Sequence, residues 1–86
     1  MSKKESFPVE VANPDELIWE GEAQSVSAEN SAGKFDVLPQ HANFVTIINP
    51  ESPITVRTAE EDPHVFSYKD AVLSVKAGKV AIYVNI

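Results

Sequence analysis

Short runs of alternating apolar and polar residues, each ended by a turn residue, recur along this chain and constrain its fold most strongly. Phe7 and Val9 alternate with polar or proline neighbours near one end, and Val80 and Ile82 do the same near the other. A period of two places every second side chain on one face of a strand, whereas a helix needs apolar residues three or four positions apart. No window has the helical spacing. The pattern therefore predicts an all-β fold: a sandwich or flattened barrel of about nine to ten short, mostly antiparallel strands in two sheets.

A chain of 86 residues can build one small core, so residues 1–86 are expected to form a single domain. All three glycines are expected in turns: Gly21 closes a second strand, Gly33 ends the turn that begins at Asn30, and Gly78 lies in the Lys76–Lys79 hairpin. Pro8 indicates an edge position or a strand start. The residues expected in the core are Phe7, Val9, Trp19, Val26, Phe35, Val37, Phe44, Phe66, Val75, Val80 and Ile82.

The charge balance excludes several classes of partner. Thirteen acidic and seven basic residues give a formal net charge of −6, which repels nucleic-acid phosphates and anionic lipid headgroups. The N-terminal residues lack the apolar segment of a secretory signal, and no apolar run is long enough to span a bilayer. We therefore expect a cytoplasmic protein domain that binds neither nucleic acid nor the membrane interior.

No catalytic motif is present, and cysteine is absent, which excludes thiolate chemistry. His41 and His64 could form half of a metal site, but two surface histidines are the better interpretation because the spacing suggests no third ligand. Glu60–Asp62 could hold a cation, yet a charge run between strands is usually a solvated loop. His41 alone could contact a partner, or its ring could simply pair with a neighbouring loop carbonyl. No enzyme activity, cofactor or metal is predicted.

Consecutive residues of a strand face opposite sides, so a run of adjacent apolar residues cannot place all its side chains on one side. The sequence has three such runs: Leu17–Trp19, Ile47–Ile48 and Val72–Leu73. Some of these side chains must point away from the core, and exposed apolar patches on small domains often mark a partner surface. Ile18 and Val45 are the residues expected to face outward. The alternative is that they are buried under a loop or in a curved corner.

The most specific stretch is Gly33–Ala42, which reads G-K-F-D-V-L-P-Q-H-A: a strand, a Pro-Gln-His corner and the start of the buried strand around Phe44–Ile48. This stretch resembles the signature of the epsilon subunit of F-type ATP synthases, in its N-terminal β-sandwich. The similarity extends in order to Phe7–Val11, Trp19–Ala23 and Val72–Val75, so it covers nearly the whole chain.

The resemblance implies a non-catalytic rotor subunit of the central stalk, which binds gamma and the c-ring and couples proton flow to ATP synthesis. Such a subunit lies on the cytoplasmic face of the inner (plasma) membrane, or the equivalent side of an energy-transducing membrane, as a peripheral component. Its ring contacts would be Ser31, Gly33, Lys34, Gln40 and His41. Its gamma contacts would be Ile18 and Val45.

The sequence departs from the family at Lys34, Gln40 and Lys69–Ala71, where relatives often carry an acid, a glycine and a Gly-Gly pair. The two C-terminal helices of the family are not expected here, and the chain is either naturally short or part of a longer protein.

A free-standing β-sandwich module that binds a peptide or carbohydrate is the alternative function. That module would need an aromatic-lined groove, and the sequence supplies one Trp and two Tyr.

Overall fold

The computed structural model describes residues 5–60 and 62–86, and in these ranges the chain forms strands and loops without a helix. Nine strands follow one another within the described ranges: β1 (Phe7–Ala12), β2 (Leu17–Ala23), β3 (Ser25–Asn30), β4 (Gly33–Val37), β5 (Phe44–Ile48), β6 (Ile54–Arg57), β7 (His64–Phe66), β8 (Ala71–Lys76) and β9 (Lys79–Val84). The described part of the chain holds no helix that is long and apolar enough to cross a membrane.

The strands form two sheets. One has five strands in the order β2-β1-β9-β8-β5, and the other has four in the order β4-β3-β6-β7. Every pairing is antiparallel except that of β1 with β9, which brings the first and last strands side by side in parallel. The predicted all-β sandwich with mostly antiparallel strands is confirmed.

The inner faces of both sheets form one core, as the period of two requires. Seven of the eleven predicted core residues are buried, and the other four, all aromatic, are half-buried against the core. Sequence analysis did not place Val11, Ile54 and Leu73 in the core, although each is fully buried. These four rings pack beside the core, while the ring of Phe7 is enclosed within it.

Strand β2 corrects one boundary prediction. Gly21 does not close the strand, which continues to Ala23 because pairing with β1 runs unbroken from Val11 to Phe7. A Cβ atom at Gly21 would lie 2.9 Å from the Trp19 ring, so glycine here leaves room for the indole beside its own strand. The glycine therefore serves close packing inside a strand.

Two turns confirm the predicted roles of the remaining glycines. Gly33 has φ of 122° and Gly78 has φ of 78°, values that L-residues rarely adopt. Ala77, with φ of 51°, precedes Gly78 in the two-residue turn between β8 and β9. Pro8 marks a strand start, because β1 pairs with β9 only from Val9 onward, but β1 is an internal strand of its sheet.

Candidate protein-interaction site

The outer face of the five-stranded sheet is apolar on its β5–β8–β9 side. Ile47 pairs with Val72, Val72 pairs with Tyr83, and Val45 lies on the same face two positions before Ile47. The side chains of Val45, Ile47 and Tyr83 are 68%, 73% and 43% exposed. Ile86 lines a surface cleft together with Ile47 and Val72. We call the set Val45, Ile47, Val72, Tyr83 and Ile86 the apolar face.

The outer face of the four-stranded sheet is mainly polar by contrast, with Val65 on β7 as its exposed apolar residue. Ser27 on β3 donates a 2.6 Å hydrogen bond from Oγ to Asp36 Oδ1 on β4, and Arg57 Nη1 on β6 donates to Ser27 Oγ at 3.5 Å. A cleft of about 500 Å³ opens on this face, and its polar lining comes from Ser27, Glu29, Lys34, Asp36 and Thr55. The polar groups here pair largely across neighbouring strands, as on an ordinary solvated sheet surface.

The two residues predicted to face outward differ in their exposure to solvent. Val45 is highly exposed and lies in the apolar face. Ile18 lies where the pairing of β1 with β2 shifts register, and it is half-buried against the core, while its neighbour Leu17 is 51% exposed. Strands β2 and β5 are opposite edges of one sheet, about 19 Å apart at the usual strand spacing. Ile18 and Val45 therefore do not form one compact patch.

The five residues expected to meet the ring also divide into two groups. Ser31, Gly33 and Lys34 belong to the turn between β3 and β4, where β4 begins, and Gln40 and His41 follow its other end. A five-residue strand separates the two groups by roughly 15 Å. They lie at opposite ends of the sandwich.

The turn between β3 and β4 is exposed at Ser31, Ala32 and Lys34, and side-chain hydrogen bonds of Asn30 hold it in place. Asn30 Oδ1 accepts a 2.9 Å hydrogen bond from the Ala32 amide inside the turn. Asn30 Nδ2 donates to Thr46 Oγ1 on β5 at 2.9 Å, and so it bridges the two sheets. This end of the molecule therefore presents a small, fixed tip.

The corner after β4 is folded back on itself. Gln40 has φ of 67° and its Nε2 donates to Glu5 Oε2 at 3.4 Å. The half-buried His41 ring lies 4.8 Å from the Phe44 ring, and its Nδ1 is 2.8 Å from the Ala42 carbonyl oxygen. Because a carbonyl only accepts, Nδ1 carries the proton and donates it. The simpler interpretation of His41, a ring nitrogen paired with a neighbouring carbonyl, describes this contact.

His64 belongs to a different part of the molecule. Its ring lies 4.9 Å from that of Trp19, which also contacts Phe66 at 6.2 Å. These side chains fill the open side between β2 and β7, while Phe35 and Phe44, 5.8 Å apart, fill the side between β4 and β5. Each histidine therefore packs against an aromatic ring in its own cluster.

The acidic run predicted to form a solvated loop includes Glu61, which lies outside the described residues. The flanking Glu60 and Asp62 are exposed. Among residues 5–60 and 62–86, the structure contains no group of three or more His, Cys, Asp or Glu side chains placed to hold a metal ion.

Sequence analysis missed Ile47 and Tyr83 as members of the apolar face. The signal for Ile47 was present, since Ile47 and Ile48 are adjacent and cannot face the same way. Alternation in the last strand also placed Tyr83 opposite to Ile82. Which isoleucine faces outward depends on the pairing of β5 with β8, and that pairing is not visible in the sequence.

Together these features define a small β-sandwich whose five-stranded sheet carries an apolar patch on its outer face. Residues 6–86 match the family described as ATP synthase, Delta/Epsilon chain, beta-sandwich domain. The chain belongs to this family, and the resemblance seen in the sequence is confirmed. The epsilon chain of Clostridium novyi (strain NT) is 25% identical over 77 residues, which cover 90% of this chain and 58% of that relative. The epsilon chain of Bordetella parapertussis is 31% identical over 74 residues, covering 86% and 52%.

Solved structures have the same fold. A chain of the Tetrahymena thermophila mitochondrial ATP synthase central stalk and c-ring superposes with a TM-score of 0.78 at 16% identity, covering 96% of this chain and 66% of that one. A chain of the Euglena gracilis mitochondrial ATP synthase OSCP/F1/c-ring structure superposes with a TM-score of 0.82 at 17% identity, covering 92% and 50%. The present chain thus spans little more than half the length of the curated relatives it matches.

Proposed function

We propose that this chain is an epsilon-type, non-catalytic subunit of the central stalk of a proton-translocating ATP synthase, and that it helps couple proton flow to ATP synthesis. Its partners in this proposal are the gamma subunit and the c-ring, and its place is at the membrane surface as a peripheral component. Membership of the family supports the proposal. The single structural observation that carries it is the apolar face, because an exposed cluster of large aliphatic side chains on an acidic domain is expected to be covered by a partner.

Gamma is assigned to the apolar face. Val45 was predicted as a gamma contact, and Ile47 and Tyr83 extend the same surface across three neighbouring strands. Ile18 contributes less in this proposal, because it is half-buried and lies at the far edge of the sheet.

The ring contact is assigned to the turn between β3 and β4. Ser31 and Lys34 are exposed there, and Gly33 supplies the positive φ of the turn. Gln40 and His41, at the other end, already contact Glu5, Ala42 and Phe44 within the chain. A polar tip of small side chains suits contact with the polar loops of a ring. On this proposal Gln40 and His41 do not share the ring surface with Ser31.

The alternative function, a free-standing module that binds a peptide or carbohydrate, is not favoured. It requires an aromatic-lined groove, whereas the lining of the cleft of about 500 Å³ on the four-stranded sheet includes one aromatic residue, Phe35, whose ring packs against the core and contacts Phe44. The family match also favours the stalk assignment over it.

Co-purification with the cognate gamma subunit tests the proposal, with Val45→Glu as the variant and Val65→Glu as the matched control. Val65 is 59% exposed on a strand of the other sheet, so both substitutions place a carboxylate on an already exposed valine. Burying an unpaired charge against gamma should weaken binding about 30-fold or more in the Val45 variant. Val65→Glu should bind like the wild type. If the wild-type chain does not bind gamma, the stalk assignment is rejected; equal binding by both variants rejects the apolar face as the gamma site.

A further inference from the structure

A chain of hydrogen bonds ties the tip of the four-stranded sheet to the edge strand of the five-stranded sheet. Asn30 Nδ2 donates to Thr46 Oγ1 at 2.9 Å, and Asn49 Nδ2 donates to the Asn30 carbonyl oxygen at 3.1 Å. The Asn49 backbone amide donates to the Glu29 carbonyl oxygen at 2.9 Å. All of these residues are half-buried, and none of the three contacts is part of the strand pairing within either sheet.

The Asn30 amide group performs two tasks at once. Its nitrogen reaches Thr46, and its oxygen accepts the Ala32 amide inside the turn. Because a side-chain amide is planar and rigid, fixing its nitrogen also fixes its oxygen. The turn itself holds only Ser31 and Ala32 between the paired residues Asn30 and Gly33, so it has no large side chain that could pack it in place.

Thr46 belongs to the strand that carries the apolar face. The side chains of Val45 and Ile47 point outward on β5, so Thr46 between them points inward, toward Asn30. The Asn30–Thr46 hydrogen bond thus joins the strand assigned to gamma to the turn assigned to the ring, next to the two contacts from Asn49.

We infer that Asn30 and Thr46 are positioning residues that hold the Ser31–Lys34 turn in a fixed relation to β5, so that contact with gamma and contact with the ring are rigidly linked. This inference rests on the proposed function for its two partners. Its structural part concerns only how the turn is held.

The matched pair Thr46→Val and Thr46→Ser tests the structural part in the isolated chain. Valine keeps the branched shape and the strand propensity but lacks the hydroxyl, whereas serine keeps the hydroxyl and has the lower strand propensity. A residue that served only the strand would tolerate valine better than serine. The positioning role predicts the reverse order.

The readout is amide hydrogen exchange at Ala32, whose N–H is bonded to Asn30 Oδ1. Loss of the anchor should speed this exchange about fivefold in Thr46→Val, the effect of one ordinary hydrogen bond, and leave it near the wild-type rate in Thr46→Ser. Asn30→Ala removes the other partner of the Asn30–Thr46 hydrogen bond. It should also accelerate exchange of the Gly33 amide in the turn. Unchanged exchange at Gly33 in Asn30→Ala and at Ala32 in Thr46→Val would overturn the inference.

A second measurement uses the complex of the chain with gamma and records its association with the purified c-ring in detergent. Thr46→Val should weaken ring association several-fold without changing gamma affinity. Thr46→Ser, which keeps the hydroxyl, should associate with the ring like the wild type. Lys34→Glu, on the exposed turn, reports on the ring contact itself. If Lys34→Glu weakens the association and Thr46→Val does not, the positioning role fails while the proposed function stands. If neither variant changes ring association, the ring assignment of the turn fails, and the positioning role in coupling fails with it.

Discussion

The two outer faces of this sandwich are built by the same rule and have opposite character. Each sheet turns every second side chain inward to a shared core. Outside, the five-stranded sheet presents Val45, Ile47 and Tyr83, while the four-stranded sheet presents Ser27, Asp36 and Arg57 joined by hydrogen bonds. Burial of the core accounts for only half of each strand's side chains. The other half is free to be polar or apolar, and the proposed gamma contact is assigned to the face on which it is apolar.

The largest difference in the free energy of unfolding is expected between substitutions at two adjacent residues that face opposite sides of one strand. Ile47 and Ile48 are adjacent, yet they are 73% and 3% exposed. Ile48→Thr places a hydroxyl and a small void in the core and should lower the free energy of unfolding by about 2–3 kcal/mol. Ile47→Thr should change it by less than about 0.5 kcal/mol. Urea denaturation of both variants measures the difference, and equal losses would show that the apolar face is covered within the chain itself.

A smaller effect, on gamma affinity, is expected from truncating exposed side chains at different positions across the five-stranded sheet. Tyr83→Ala removes an aromatic ring from the β9 side of the face and should weaken gamma binding by about 1–2 kcal/mol, or roughly 5- to 30-fold. Leu17→Ala removes an exposed side chain from the opposite edge, on β2, and should leave the affinity within about twofold of wild type. Titration calorimetry with gamma distinguishes the two. A larger loss for Leu17→Ala would move the contact toward the β2 edge, where Ile18 lies.

Stability and affinity can be separated at the turn between β8 and β9. Ala77 adopts φ of 51°, a left-handed conformation that disfavours any residue with a Cβ atom. Ala77→Gly relieves this strain and should raise the free energy of unfolding by about 0.5–1 kcal/mol after the entropy cost of the added glycine. Gamma affinity should not change, because the turn lies outside the apolar face. Thermal unfolding checks the first expectation, and a change in gamma affinity would mean that the contact extends to this turn.

The smallest effect is expected on the polar face. Ser27→Ala removes a 2.6 Å hydrogen bond to Asp36, and both residues remain in contact with water. The free energy of unfolding should fall by about 0.5 kcal/mol, and gamma affinity should stay at the wild-type value. Denaturant unfolding and calorimetry on one preparation give both quantities. A loss of gamma binding here would remove the distinction between the two faces.

Much of the fold could be predicted from local pattern. The alternation at Phe7–Val11 and Val80–Val84 predicted the first and last strands, and Gly33 and Gly78 adopt the positive φ values that their turns require. These features are local, because side-chain direction and turn conformation depend on a few neighbouring residues. Boundaries were less secure: β2 runs past Gly21, where a strand end was predicted, because its partner β1 continues alongside.

The candidate site was predicted only in part. Val45 was correctly expected to face outward, but Ile18 is half-buried because β2 shifts register beside Val11. Ser31 and His41 are close in the sequence and were grouped as one surface, yet β4 runs between them and carries them to opposite ends. Spacing along the chain could not distinguish one end of the sandwich from the other.

Local sequence patterns were enough to predict the fold class, about nine to ten short strands and the family, because alternation, turn residues and an ordered motif all lie within short segments. Which strands share a sheet, including the parallel pairing of β1 with β9, depends on the three-dimensional packing, and so does the choice of which residue of Ile47 and Ile48 faces outward. The same packing also decided that Asn30 meets Thr46, sixteen residues away. The reason is physical: hydrogen-bond ladders and inter-sheet contacts join residues that are distant in the chain, and local preference does not specify the partner.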